Sequence, residues 1–230
     1  MTNWSAPQRP AVYAEQVLLT AVLDGTYPPG STLPSERDLA AQLGVTRPTL
    51  REVLQRLECE GWLTIQQGKP TRVNDFWLDG GLNVLSALVR YGQPLPSDFV
   101  PNLLEVRLAL APAYTRAAVE RSPEMVVAHL GDFAGLDDTP KALASFDWTL
   151  HHILTVASGN PVYTLILNGF AGFYEQMACL YFAQPEGRAS SLAFYASLLA
   201  AARQKDAPGA ECITRSVMQE SIALWHQASK

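Results

Sequence analysis

The sequence predicts a mainly α-helical chain: a small helical unit closed by a β-hairpin, followed by an all-α helical bundle. Three observations carry this. Apolar residues recur at helical spacing over most of the 230 residues. The one hairpin signal is Trp62-Leu-Thr-Ile65 and Thr71-Arg-Val-Asn74, joined by the turn-rich Gln66-Gln-Gly-Lys-Pro70. The composition, 48% hydrophobic and 17% charged, supplies a real core and speaks against disorder.

The first helix spans about Val12 to Asp24, with Val17, Leu18, Ala21 and Val22 at helical spacing. Gly25-Thr-Tyr-Pro-Pro-Gly30 interrupts regular structure. Ser35-Glu-Arg-Asp38 places a serine cap three residues before an acid, which opens a short helix running to about Leu43. Gly44 suits the left-handed turn that follows it. Thr46 caps the next helix, and Pro48 falls in a first turn whose N–H groups lack helical partners anyway. That helix carries Leu50, Val53, Leu54 and Leu57 on one face and ends at Gly61. Helix, capped short helix, tight turn, helix, hairpin is the order of a winged helix-turn-helix. The module is predicted over 1–75, with a linker and connecting helix over 76–95.

Beyond it, helical periodicity covers about 81–92, 98–121, 123–134, 140–157, 161–182, 187–204 and 207–228. Pro94-Leu-Pro96, Ser122-Pro123, Ser158-Gly-Asn-Pro161 and Pro208-Gly209 mark breaks. Several of these helices are apolar over much of their girth, as in a packed bundle, so an all-helical domain is predicted over 96–230.

Net charge is −5, which taken whole speaks against nucleic acid. Its placement matters more. Residues 1–75 hold seven basic and eight acidic side chains, and the acidic excess lies mostly in the remainder. A recognition helix turns its N-terminal residues to the base edges. Here those are Thr46, Arg47, Thr49 and Arg51, the two arginines one turn apart. Either guanidinium can grip guanine O6 and N7, worth roughly 1–3 kcal/mol of discrimination. Arg37 on the preceding helix suits the backbone or a base edge. Gly68 permits a tight wing that carries Lys69 at its tip. Taken singly, each arginine is equally well an ordinary surface residue. The set is more specific than any member.

Cys59, Cys179 and Cys212 are odd in number and form no CxxC pair, so a reduced, cytoplasmic setting is expected. No run approaches the roughly 18 apolar residues of a membrane span, and the opening residues lack a signal-peptide pattern. No GxSxG, P-loop or GxGxxG occurs, so no enzyme is expected.

At this point a resemblance is visible. Pro28-Pro-Gly-Ser-Thr-Leu-Pro-Ser-Glu-Arg-Asp-Leu39, Gly44-Val-Thr-Arg-Pro-Thr-Leu-Arg-Glu-Val-Leu54 and Leu57-Glu-Cys-Glu-Gly-Trp-Leu63 resemble the GntR regulator family. Trp62–Asn74 with Phe76-Trp77, Ala157–Gly169 and Tyr181-Phe-Ala-Gln-Pro-Glu186 resemble its fatty-acid-responsive FadR subfamily. The resemblance implies a homodimer on palindromic operator DNA, released when the helical domain binds long-chain acyl-CoA as effector. It implies no other cofactor and no membrane partner. The implied DNA contacts are Arg37, Thr46, Arg47, Thr49, Arg51, Gly68 and Lys69. Pro48 and Gln67 replace the threonine and histidine of the familiar pattern.

On the effector side the resemblance implies Tyr174, Tyr181, Glu220, Ser221, Trp225 and Lys230. Tyr174 and Tyr181 are two helical turns apart on one face. Trp225 offers a stacking surface and Lys230 a phosphate partner. A Tyr or Trp stripe at this spacing is also what plain core looks like. Met218 stands where similar proteins have glycine, which would narrow the CoA entrance. Many members of the wider superfamily hold a metal through an aspartate and three histidines. Asp147 and His151 have the D-x3-H spacing, but later histidine ligands are missing, so no metal is expected and His151 and His152 are read as structural or pocket-lining. Two rival readings stay open: a GntR-type regulator of a small carboxylate, with or without a metal, and an acyl-CoA enzyme or carrier with a vestigial DNA module.

Overall fold

The computed structural model describes residues 9–92 and 95–228, and of Ala228 the backbone alone. The chain divides into two compact units, 1–95 and 96–230.

In the first unit, α1 (Pro10–Leu23) packs on α3 (Arg47–Cys59), and α2 (Glu36–Leu43) also rests on α3. The local signals act as expected. Ser35 Oγ accepts the Asp38 N–H at 3.3 Å, Gly44 is left-handed at φ 66°, and Thr46 Oγ1 accepts the Thr49 N–H at 3.3 Å. Leu50, Val53, Leu54 and Leu57 line the inner face of α3 and are buried with Leu18, Leu19, Leu39 and Trp62. The hairpin ladder is shorter than the sequence suggests: β1 is Leu63–Thr64 and β2 is Arg72–Val73, with Leu63 opposite Val73. A bridge between Thr32 and Arg72 pairs the other side of β2. Residues 76–95 hold α4 (Phe76–Asp79) and α5 (Asn83–Tyr91), and α5 packs on α1 within this same unit. Gly61 shows why α3 stops where it does. Its φ is +85°, and a Cβ there would lie 2.7 Å from the Asp79 carbonyl oxygen.

The second unit is built on two long helices, α6 (Phe99–Arg121) and α12 (Ala207–Ala228), packed along each other. An Arg116–Glu211 ion pair joins the late part of α6 to the early part of α12, so the two run antiparallel. Against them lie α7 (Pro123–Leu130), α8 (Pro140–Ala157) and α11 (Pro185–Gln204). Leu143, Leu150 and Leu154 of α8 meet Ala118, Leu130 and Leu198 in one core. Two expected segments are divided. The stretch 123–134 ends as helix at Leu130 and continues as a 3-10 turn over Phe133–Gly135. The stretch 161–182 splits into α9 (Pro161–Asn168) and α10 (Tyr174–Phe182). Gly169 closes α9, and turns occupy 169–173 before α10 begins. No residue of α9 is buried, whereas Phe173 in the break is. None of the described helices is long and apolar enough to cross a membrane.

Candidate functional site

Two places stand out: an exposed face of the first unit and a cavity in the second.

On the first, Arg47 opens α3 and Arg51 follows one turn later, both exposed. Arg37 sits in the first turn of α2 with its side chain 80% exposed and its Nε 3.2 Å from Asp38. Arg51 Nε lies 2.6 Å from Glu36 Oε2. Thr46 and Thr49 share a hydroxyl contact of 2.9 Å at the start of α3. At the hairpin tip Gly68 has φ 75°, which turns the chain tightly, and the exposed Lys69 is bonded to Gln66 Oε1 at 2.9 Å. The caps that start α3 therefore also present its first-turn side chains to solvent, beside a basic wing.

The cavity of the second unit encloses about 130 Å³. Its walls are largely apolar: Leu103, Leu104 and Leu110 of α6, Ile166 and Leu167 of α9, and Phe170, Phe173 and Met177 around the break and α10. A second, more polar cavity adjoins it and shares Tyr181 and Trp225 with it. Of the effector residues expected from sequence, Tyr174, Tyr181, Ser221 and Trp225 line the first cavity. Ser221 is buried, its hydroxyl donating to the Met218 carbonyl at 2.8 Å. Glu220 lines neither cavity; it is exposed and accepts from Ser190 Oγ at 2.7 Å, because one residue's step around α12 turns it toward α11. Met218 is 2% exposed and sits in the core, so its side chain does not project into an entrance. Lys230 lies outside the described residues.

The cavity also contains a polar cluster that periodicity gave no sign of. Arg107 Nη2 donates to Asp147 Oδ2 at 2.8 Å and to His151 Nε2 at 2.6 Å. Tyr195 donates to Asp147 Oδ1 at 2.9 Å, Tyr174 donates to Oδ2, and Tyr114 Oη lies 2.7 Å from His151 Nδ1. Burial alone would raise the Asp147 carboxyl; the Arg107 charge and the hydrogen bonds from Tyr174 and Tyr195 together outweigh it, and the group is held below the usual carboxylate range. Burial, reinforced by Arg107, pushes His151 down to about 3, so its ring is neutral. Burial also raises Tyr114, Tyr174 and Tyr195, which stay protonated. One signal could have announced this cluster: Arg107 is a lone cation in the apolar run Leu103–Ala111.

The D-x3-H pair does meet on one face of α8, with Asp147 Oδ2 3.8 Å from His151 Nε2. A single guanidinium nitrogen bonds both atoms. The position a metal would take between them is filled by a fixed cation, and no group of three or more His, Cys, Asp or Glu able to hold a metal occurs among the described residues. The donor set does not fit a metal.

The C-terminal part of the chain, residues 74–230, matches the family model of the FadR C-terminal domain, and residues 11–73 match that of the bacterial regulatory proteins of the gntR family. The chain belongs to the FadR family of gntR-type bacterial regulatory proteins. Its relatives include two proteins called fatty acid metabolism regulator protein. That of Edwardsiella ictaluri is 45% identical over 95% of this chain and 92% of its own. That of Shewanella halifaxensis is 43% identical over 94% and 90%. Among solved structures, Lar, which controls expression of the Listeria monocytogenes agr system, superposes with a TM-score of 0.61 at 16% identity, covering 98% of this chain and 99% of its own. McbR/YncC of E. coli superposes with a TM-score of 0.50 at 20% identity, covering 96% and 99%. At those identities the structures speak for the fold alone, a winged helix-turn-helix with an all-helical partner domain. The FadR family consists of transcription regulators rather than enzymes, which disposes of the reading as an enzyme with a vestigial DNA module.

Proposed function

We propose that this FadR-family chain is a regulator of fatty-acid metabolism genes that binds palindromic operator DNA as a homodimer and is released by long-chain acyl-CoA. The observation that carries the reading is the pair of joined cavities. A mainly apolar interior suits an acyl chain, and the more polar space beyond Tyr181 and Trp225 suits its polar CoA end. The relatives' shared name supports the fatty-acid context.

On the DNA side, Arg47, Arg51 and Arg37 are the base or backbone contacts. Thr46 and Thr49 reach phosphate or a base at the start of α3, and Gly68 lets Lys69 enter the minor groove or meet phosphate. On the effector side, Tyr174, Tyr181, Ser221 and Trp225 line the site, with Lys230 as a phosphate partner. The cavity is smaller than the roughly 300–1,000 Å³ usual for ligand sites, so an acyl chain enters only if lining helices move apart. Acyl-CoA thus favours one state of the helical domain, and it can shift DNA affinity only as far as it prefers that state. In the dimer the two recognition helices need half-sites about one helical turn apart; the effector-bound state loses that spacing.

The test is an anisotropy titration of a palindromic duplex, selected in vitro on the purified protein, with palmitoyl-CoA added at saturation. Loss of DNA binding is expected. Unchanged operator affinity overturns the reading. The metal-assisted small-carboxylate alternative is disfavoured by the guanidinium between Asp147 and His151.

A further inference from the structure

The hydrogen bonds of the buried cluster leave the Tyr114 hydroxyl proton without a partner. Arg107 Nη2 can only donate, so His151 Nε2, 2.6 Å away, must be the ring's bare acceptor nitrogen. The ring proton therefore sits on Nδ1 and is donated to Tyr114 Oη at 2.7 Å. The opposite tautomer would set two N–H groups against each other. Tyr114 thus accepts in this contact, and its own hydroxyl proton is directed elsewhere. Tyr114 is 5% exposed and lines the apolar cavity. Burial keeps its proton on by raising its pKa. A buried donor without an acceptor is costly, so this hydroxyl favours a ligand that brings an oxygen.

Its place in the cavity says where on the ligand that oxygen lies. The two cavities meet at Tyr181 and Trp225. Trp225 is fourteen residues beyond Glu211 on α12, about 21 Å at 1.5 Å per residue. Glu211 pairs with Arg116, two residues from Tyr114 on α6. Tyr114 therefore stands at the end of the cavity remote from the CoA side. The charge of the cluster says what kind of oxygen it is. Arg107 and Asp147 already neutralise each other and His151 is uncharged, so a further anion would be buried without a counter-ion. A neutral acceptor fits.

We propose that Tyr114 Oη forms a hydrogen-bonding subsite for a neutral oxygen, a hydroxyl or keto group, near the ω end of the acyl chain, so that the protein also reads oxygenated acyl-CoAs. This rests on the acyl-CoA reading above. The test is calorimetry on the full chain with ω-hydroxypalmitoyl-CoA and palmitoyl-CoA, for the wild type and Tyr114→Phe. In the wild type the hydroxylated ligand binds at least as tightly as the plain one. Tyr114→Phe lowers the affinity ratio of the hydroxylated to the plain ligand about 3- to 10-fold, the range of one hydrogen bond. A homologous series of ω-hydroxyacyl-CoAs on the wild type needs no variant: the preference over the plain counterpart peaks at one chain length. If both ligands bind but their ratio is the same in both proteins and flat along the series, the subsite is refuted while acyl-CoA sensing stands. If neither ligand binds the wild type, both fall.

Discussion

Arg51 of α3 and Glu36 of α2 form an ion pair of 2.6 Å on the outer face of the winged unit. Both side chains are solvated, 60% and 32% exposed, so the pair contributes at most about 1 kcal/mol to stability. Arg51 can exchange that carboxylate for a guanine edge at small cost. Arg51→Ala is expected to weaken specific operator binding by roughly 1–3 kcal/mol in a mobility-shift titration while leaving palmitoyl-CoA affinity intact. Equal loss of both activities would point to a misfolded protein, and unchanged operator affinity would remove Arg51 from the interface.

The Arg107–Asp147 pair is the opposite case, since Asp147 is 3% exposed and three further groups depend on it. Deleting one partner strands a buried charge. Asp147→Ala is expected to lose about 3–5 kcal/mol in urea unfolding. A loss below about 1 kcal/mol would mean that water reaches the cluster freely.

His151 makes stability depend on pH. Its ring is held neutral down to about pH 3, whereas in the unfolded chain it protonates near 6.5. Below 6.5 the unfolded state binds a proton that the folded state refuses. The contribution is therefore complete above about pH 6.5 and is lost as pH falls toward 3, by up to roughly 1.4 kcal/mol per unit. Asp147, held low, adds the same trend only below about pH 4. Urea midpoints at pH 7 and pH 5 should show the fall, and His151→Gln should flatten it. Half-buried His129, also pushed down by burial, leaves a smaller residual slope. A slope unchanged in His151→Gln would rule out this assignment.

Trp225 and Glu220 separate geometry from resemblance. Trp225 borders both cavities and Glu220 neither. Trp225→Ala is expected to weaken palmitoyl-CoA by about 1 kcal/mol, several-fold, through lost contact with an aromatic face. Glu220→Ala should change it little. The reverse order would place the CoA end along α12 and α11 instead.

Gly61→Ala tests the turn after α3. The left-handed backbone and the 2.7 Å approach of the Asp79 carbonyl act together. The substitution should cost more than about 1 kcal/mol in a thermal or urea melt. An unchanged melt would show that this turn relaxes freely.

The winged unit was legible because its signals are local. Ser35, Gly44, Thr46 and Gly61 each act on backbone within a few residues, so their types alone announce the turns. The gap between α9 and α10 was not legible. Phe170 and Phe173 continue the apolar pattern across it, although both line the cavity from the break itself. Tyr174, Tyr181, Ser221 and Trp225 line the cavity, whereas Glu220 does not. The polar cluster joins Arg107 to Asp147 across 40 positions and Asp147 to Tyr195 across 48. No periodicity within one helix could reveal it. Asp147 and His151 were visible only as half a metal site, and the cation that completes them comes from another helix.

The bridge from Thr32 to Arg72 has a colloidal consequence. With β1 on one flank and the Thr32 segment on the other, β2 has both edges occupied, and Leu33, Val73 and Gly30 amides add three backbone bonds to that second seam. The unpaired flank of β1 is only two residues long. Such a stub is a poor template for a strand from another molecule. The wing can therefore stay narrow and basic enough to enter a groove without exposing a sticky sheet edge that would draw copies of the chain into aggregates.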